Sequence, residues 1–309
     1  MLLSGLHVGV AGDQRTRLDQ PRTPVGRVES DSNPHVAPAA RAPWKGCQQT
    51  ESALSRFCRF EWAGRNGKLD GLMAVRRVFV DSIEDDAAFA RGDSARHLAS
   101  AARLRRGERV EVSDQVRAYL AVTESCSPDE VRFRIEQLLP DPEPVPRLDA
   151  ALAIIRFPRF EWAIEKLTEL GVHSIIPVIA TRSDVKLVST ASKRAARWRR
   201  IAFEAAQQSR RIAAPIVAAP TRFEQAVRDC PAGTGLLVHP GGLPVADAGR
   251  GASVFLVGPE GGWTDEEAGM ASGAGLSTAD LGNTILRSET AAVATAAVVS
   301  ANRAGETGA

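Results

Sequence analysis

The sequence predicts an α/β protein, a mostly parallel sheet covered on both faces by helices and preceded by a small β-barrel. Three observations carry that expectation. Between Arg76 and Leu139 the apolar runs are short and broken by turn residues. Pro140-Asp141-Pro142-Glu143-Pro144-Val145-Pro146 then interposes a stiff, extended segment. Beyond it, apolar runs without clean alternation are separated by helical stretches, the pattern of strands buried on both faces.

Arg77 to Val80 reads as the first strand, and Ser94 to Leu104 as the one helical stretch of this half. Arg109 to Val112 alternates cleanly, and Ala118 to Thr123 and Val131 to Leu139 follow, with turns at Gly107 and Ser127-Pro128-Asp129. In the second half, strands are expected at Leu152 to Ile155, Ser174 to Ile179, Pro215 to Ala218, Gly235 to Val238, Val254 to Val257 and Ser277 to Leu281. Helices are expected at Arg159 to Leu170 (stopped by Gly171), Lys193 to Arg210, Asp265 to Ser272 and Ser288 to Arg303. The domain plan is therefore a barrel over 73–140 and a helix-covered sheet over 147–309.

Residues Met1 to Leu72 hold no sustained period of 2 or 3.6, and read as a disordered extension or as sequence upstream of a functional start at Met73. Arg59-Phe60-Glu61-Trp62-Ala63 recurs as Arg159-Phe160-Glu161-Trp162-Ala163, but the flanks diverge, so no repeat domain is inferred. Over 309 residues, 44% are hydrophobic and 25% charged, enough apolar material for a sizeable core. The net charge of +2 excludes a uniformly basic coat and leaves room for local basic patches. The strongly apolar stretch Ala291 to Val299 is far short of the ~20 residues that span a bilayer. Cys47, Cys58, Cys126 and Cys230 form no Cys-x-x-Cys pair, which argues against a zinc site or a disulfide framework and for a reducing cytoplasm.

The chemistry concentrates in three loops that follow strands. Gly258-Pro259-Glu260-Gly261-Gly262-Trp263 lets the backbone turn sharply and approach a ligand. It lacks the Lys-Ser/Thr of a phosphate loop and the spacing of a dinucleotide fold. Read alone it is a tight turn capped by Thr264 ahead of an acidic helix. His239-Pro240-Gly241-Gly242 places a single His with no second His at metal spacing, so no metal site is expected. The third loop, Leu281-Gly282-Asn283-Thr284-Ile285-Leu286-Arg287-Ser288-Glu289-Thr290, runs into an Ala-rich helix. Its plain reading is an Arg287–Glu289 surface pair with Ser288 as helix cap. In a parallel sheet such loops gather at the carboxyl ends of the strands, where ligands bind.

Four ordered strings carry a resemblance. They are Phe160 to Val172, Glu204-Ala205-Ala206-Gln207-Gln208-Ser209-Arg210-Arg211, Gly258 to Gly262, and Leu281-Gly282 with Ile285 to Ala291. Met73 to about Ala304 resembles the RsmE family of ribosomal-RNA uridine N3-methyltransferases in the SPOUT superfamily. Arg76 to Val80 and Ala95 to Leu98 resemble that family's PUA-like barrel. The resemblance implies a trefoil-knotted domain holding S-adenosylmethionine, a homodimer whose active site borrows from both subunits, and small-subunit rRNA or the assembled subunit as substrate. Asn283-Thr284 stands where many members carry Pro-Arg, and Met1 to Leu72 has no family counterpart.

Carried onto this chain, the resemblance makes His239, Gly258, Glu260, Gly261, Gly262, Leu281, Gly282, Ile285, Leu286 and Thr290 the expected cofactor contacts. Such a site needs backbone donors and apolar walls for a neutral adenine and a sulfonium. Arg287 is the candidate to stabilise charge on the uridine carbonyls, and Glu289 the candidate to orient Arg287 or act as base. RNA contacts are expected from Arg76, Arg77 and Arg96 in the barrel and from Arg197, Arg200, Arg210 and Arg211 on the long helix. Trp162 and Trp198 are expected in the core or an interface. Two rival readings remain open: a SPOUT enzyme acting on another rRNA or tRNA nucleotide, and a ribosome-binding module without activity.

Overall fold

The computed structural model describes residues 75–142 and 145–306, apart from residue 101. The leader, the first copy of the pentapeptide, Cys47 and Cys58 lie outside the described residues.

The first sheet comprises β1 (Arg77–Phe79), β2 (Ser82–Glu84), β3 (Ala87–Arg91), β4 (Arg109–Ser113), β5 (Ala118–Cys126) and β6 (Glu130–Leu138), in the order β1-β4-β5-β6-β3-β2. β1 runs parallel to β4, and the other pairings are antiparallel. The end strands β1 and β2 are joined through Val80-Asp81 rather than by a ladder, so the sheet curls into a half-barrel. Val78, Ala88, Val110, Ala121 and Phe133 fill it, and α1 (Gly92–Ser100) closes it with Ala95 and Leu98. Strands β2 and β3 were not expected. They meet across Asp85-Asp86, with Asp85 at φ 52°, a left-handed position that Asp tolerates in tight turns. α1 stops four residues before the expected Leu104, and Arg103 sits at φ 50°, outside helical geometry.

The second sheet is wholly parallel. It contains β7 (Asp149–Ala153), β8 (Ser174–Ile179), β9 (Ile216–Val217), β10 (Thr221–Arg222), β11 (Gly235–Pro244), β12 (Val254–Val257) and β13 (Ser277–Asp280). The order is β10-β8-β7-β12-β11-β13, with β9 also paired to β8. Alternate residues of the central strands enter two cores. Ala150, Leu152, Phe255 and Leu236 face the core packed by α2 (Phe157–Glu169), α3 (Val185–Gln208) and α7 (Ser288–Glu306). Ala151, Ala153, Leu256 and Leu237 face the core that includes Phe223 of α4 (Phe223–Arg228) and Ala271 of α6 (Asp265–Gly273). This double burial explains the near-continuous apolar strands. Trp198 is fully buried among Phe157 and Phe160, whereas Trp162 is 43% exposed.

α3 starts two turns before the expected Lys193, because the Asp184 carboxylate caps it by accepting from the N–H groups of Lys186 and Leu187. It ends at Gln208, and Arg210 turns the chain at φ 55°. The short α4, α5 (Val245–Ala248) and β10 are not expected from the sequence either; two to six residues carry too little periodicity to read.

The half-barrel meets the end of α3 through a buried acid. Glu111 of β4, 5% exposed, pairs with Arg77 at 2.8 Å and with Arg210. Around it, Gln207 Oε1 accepts the Phe79 N–H at 3.1 Å, and Ser113 Oγ donates to the Ile212 carbonyl at 2.7 Å.

Candidate active site

The site lies at the carboxyl ends of the parallel strands, where four loops are hydrogen-bonded to one another. After β12, Gly258 to Trp263 turns with Gly262 at φ 70°, and the Gly262 N–H closes the turn on the Pro259 carbonyl. Gly258 is held against the Trp263 ring: a Cβ there would lie 3.2 Å from the indole. The Trp263 indole N–H donates to the Val238 carbonyl at 3.2 Å, tying this loop to β11. The expected helix start at Thr264 is a full capping box with Glu267. Glu267 also accepts from the Thr181 N–H at 2.8 Å.

The His239-Pro240-Gly241-Gly242 segment, expected as a loop after a short strand, is a bulge within β11. Val238 and Leu243 both pair with Ala279, so residues 239–242 protrude from an otherwise continuous strand. A Cβ on Gly242 would strike the Thr278 backbone at 2.5 Å, so only glycine fits there. His239 Nδ1 lies 2.8 Å from the Pro240 carbonyl, a contact within its own loop.

The third loop is joined to this bulge by Asp280, whose carboxylate accepts from the Gly241 and Gly282 N–H groups at 2.8 and 2.9 Å. Those two bonds, Gly241 first, hold the Asp280 carboxyl below the usual aspartate range. The fourth loop was not anticipated. Arg182, after β8, donates to the Gly261 and Trp263 carbonyls at 2.8 and 3.0 Å. Nothing in its sequence neighbourhood distinguishes it; only the strand order brings β8 within reach.

Leu281 and Leu286 pack against the core, while Gly282 takes φ 107°. Ile285 was expected to line the same wall, but its side chain is fully exposed in the single chain. Among the described residues, the N–H groups of Glu260, Gly261, Ile285 and Leu286 have no protein partner. These donors beside apolar walls fit a neutral adenine nucleoside. Thr290 lies exposed in the first turn of α7.

The plain Arg287–Glu289 pair does not form. Glu289 is buried at 7% exposure and faces Arg159 of α2, whose Nε lies 3.6 Å from its Oε1. Arg159 also lies 3.6 Å from Glu260. The two candidate carboxylates therefore share one cation supplied by a helix more than a hundred residues earlier. Glu289 Oε2 is buried without a hydrogen-bond partner, and Arg287 is exposed.

The expected RNA-contact residues divide. Arg197 and Arg200 are 61% and 74% exposed on α3, paired with Glu161 and Glu204 at 2.8 Å. Arg76 and Arg96 are exposed and paired with Glu108 and Asp93. Arg77, 11% exposed, and Arg210 are engaged with Glu111. Arg211 does not continue the helix face with Arg197 and Arg200. It lies past the end of α3 and donates to the Thr168 and Val172 carbonyls at 3.0 and 2.7 Å. The charge count read these three as surface cations because it could not see the junction or the carbonyls at the end of α2.

Among the described residues, no cluster could hold a metal ion, and no helix is long and apolar enough to cross a membrane. The two described cysteines, Cys126 and Cys230, are free thiols.

A family model described as an RNA methyltransferase domain matches residues 141–300. The ribosomal RNA small subunit methyltransferase E of Bacillus subtilis is 31% identical over 238 residues, covering 70% of this chain and 93% of that protein. The Mycobacterium bovis protein of the same name is 30% identical over 233 residues, covering 71% and 89%. Among solved structures, the Neisseria gonorrhoeae enzyme of that name bound to S-adenosyl methionine has a TM-score of 0.66 at 29% identity, covering 74% of this chain and 97% of its own. A putative methyltransferase of Legionella pneumophila, in complex with bound cofactor SAM, has a TM-score of 0.68 at 26% identity, covering 74% and 98%. With its glycine loops gathered at the strand ends and this similarity spanning most of its relatives' length, the chain belongs to the ribosomal RNA small subunit methyltransferase E family of RNA methyltransferases.

Proposed function

We propose that this protein transfers a methyl group from S-adenosylmethionine to ring nitrogen N3 of a uridine in 16S-type small-subunit rRNA, free or within the assembled subunit. It does so in the cytoplasm and as a homodimer. The observation that carries the reading is the convergence of the Gly258, His239 and Leu281 loops, bonded through Asp280 and Trp263. Residues 73–140 serve as the RNA-docking barrel and 147–309 as the methyltransferase domain. His239, Gly258, Glu260, Gly261, Gly262, Leu281, Gly282, Leu286 and Thr290 form the cofactor niche, with Ile285 turned outward to meet a second copy.

Bound there, S-adenosylmethionine supplies an electrophilic methyl group on a positively charged sulfur. The chain holds uridine N3 in line with it, and positioning supplies much of the rate. As the new N–C bond forms and the S–C bond breaks, the imide proton must leave. Glu289, with a buried oxygen free to accept, is the carboxylate offered for it. Arg287 stabilises the charge shared by the flanking carbonyl oxygens. Arg159, with its Nε 3.6 Å from Oε1, holds Glu289 in place.

The test incubates purified protein with labelled methyl donor and small subunits from a strain lacking this gene, then maps the modified base. Methyl at uridine N3 is expected. Arg287→Ala should keep calorimetric donor binding and lower turnover by roughly 10²–10³-fold. No heat of donor binding to the unaltered protein would overturn the reading, and methyl on a different nucleotide would move the target. Light scattering should report a dimer, which Ile285→Asp weakens.

A further inference from the structure

A cleft of about 430 Å³ opens between the half-barrel and the end of α3. That volume lies within the ~300–1,000 Å³ range of small-molecule sites. Its walls come from three elements distant in sequence: Arg76 beside β1, His97 and Leu98 of α1, and Glu204, Gln207 and Gln208 of α3. Gln207 already accepts from the Phe79 N–H through Oε1, which leaves its amide N–H₂ to donate. Among the described residues, the side chains of His97 and Gln208 engage no hydrogen-bond partner. Arg76 is held by Glu108 and the Ala102 carbonyl, and Glu204 faces Arg200.

Arg77 and Arg210 also line the cleft and share the Glu111 carboxylate, so each lining guanidinium is already engaged. What remains open is the amides of Gln207 and Gln208 and the His97 imidazole, around the apolar Val75, Val78, Leu98 and Ala102. The chemistry suits a flat, uncharged ring with polar edges. More exposed cations flank the cleft: Arg96 and Arg200, 61% and 74% exposed, stand on the two helices beside it. Backbone phosphates on either side of an inserted base meet such cations, while the base edge meets amides and imidazole.

The cleft is not the methyl-transfer site. α3 leaves the carboxyl edge of the sheet at Asp184, next to Arg182, and reaches the cleft only at its last turn. At 1.5 Å per residue its 24 residues span about 36 Å. We propose that this cleft receives an unstacked nucleotide of the RNA other than the one methylated, so that one subunit reads its substrate at two separated points. This rests on the RNA-methyltransferase reading above.

The test compares unaltered protein with a His97→Ala/Gln208→Ala double variant, using naked small-subunit rRNA. Filter binding should show roughly tenfold weaker RNA affinity, the loss of two neutral hydrogen bonds. KM for RNA should rise to match, with kcat and donor affinity unchanged. The slope of affinity against salt should not change, since base contacts release no counterions. Affinity within twofold of the unaltered protein overturns the proposal. A flattened salt slope overturns it in favour of a phosphate site, and a loss seen only with assembled subunits overturns it in favour of a protein contact. If the unaltered protein binds rRNA but transfers no methyl, the enzymatic reading fails while the cleft is still judged on affinity alone.

Discussion

Asp280 accepts the backbone N–H of Gly241 at 2.8 Å across 39 residues of chain. Its second oxygen holds Gly282, so one carboxylate sets the spacing between two loops of the cofactor niche. Asp280→Asn should therefore weaken donor affinity several-fold in calorimetry while leaving the circular dichroism unchanged. The sign of the pH effect follows from the depressed carboxyl. A folded value below the unfolded ~3.9 means that stabilisation is complete above that value and is lost as pH falls through the folded one. The difference in Tm between the two proteins should be constant above about pH 5 and shrink below about pH 4.

Arg159→Ala leaves the buried Glu289 without its cation. Its destabilisation in urea should be about 1–2 kcal/mol, the cost of an unmatched, largely buried polar group. Methyl transfer should fall further than stability alone explains. Glu289→Gln in the Arg159→Ala background should recover stability and leave activity low. A double-mutant cycle with no coupling would show that the 3.6 Å approach is incidental.

Glu111→Ala strands Arg77 and Arg210 at the junction of the half-barrel and α3. Truncating one member of a buried ionic cluster costs about 3–5 kcal/mol. Arg210 is partly exposed, so the lower end is expected. Thermal denaturation should show the loss, and Glu111→Gln should restore part of it through its remaining acceptor.

Arg197 and Arg200 are exposed basic residues of α3, 61% and 74% accessible. Replacing both with Ala should weaken RNA binding and flatten its dependence on log salt by between one and two units, at roughly 0.7–0.9 per phosphate released. Because Glu161 and Glu204 already partner them, the smaller value is expected. Donor binding should be untouched.

Which parts of this were legible in the sequence has a physical explanation. Strands β8 and β12 lie at their expected bounds because their apolar runs end at turn residues. The half-barrel lost β2 and β3 because each is short and joined by a two-residue turn. The three glycine loops were found by composition alone. Their fastening was not: Asp280, Trp263 and Arg182 act across tens of residues, through a strand order no local pattern encodes. In the sequence Arg159 stands out only as the start of a helix and of a recurring pentapeptide, and its meeting with Glu260 and Glu289 depends on how α2 packs beside α7. The basic residues misled in the other direction, since Arg77 and Arg211 look like surface charge until their internal acceptors are seen.

The excursion in β11 leaves and rejoins the sheet opposite the same residue, Ala279. Residues 239–242 thus add no net advance to the strand. Lengthening or shortening that excursion would leave the pairing of every neighbouring strand in step. It is a point where descendants of this fold can reshape what the niche admits while the interior beneath it stays as it is.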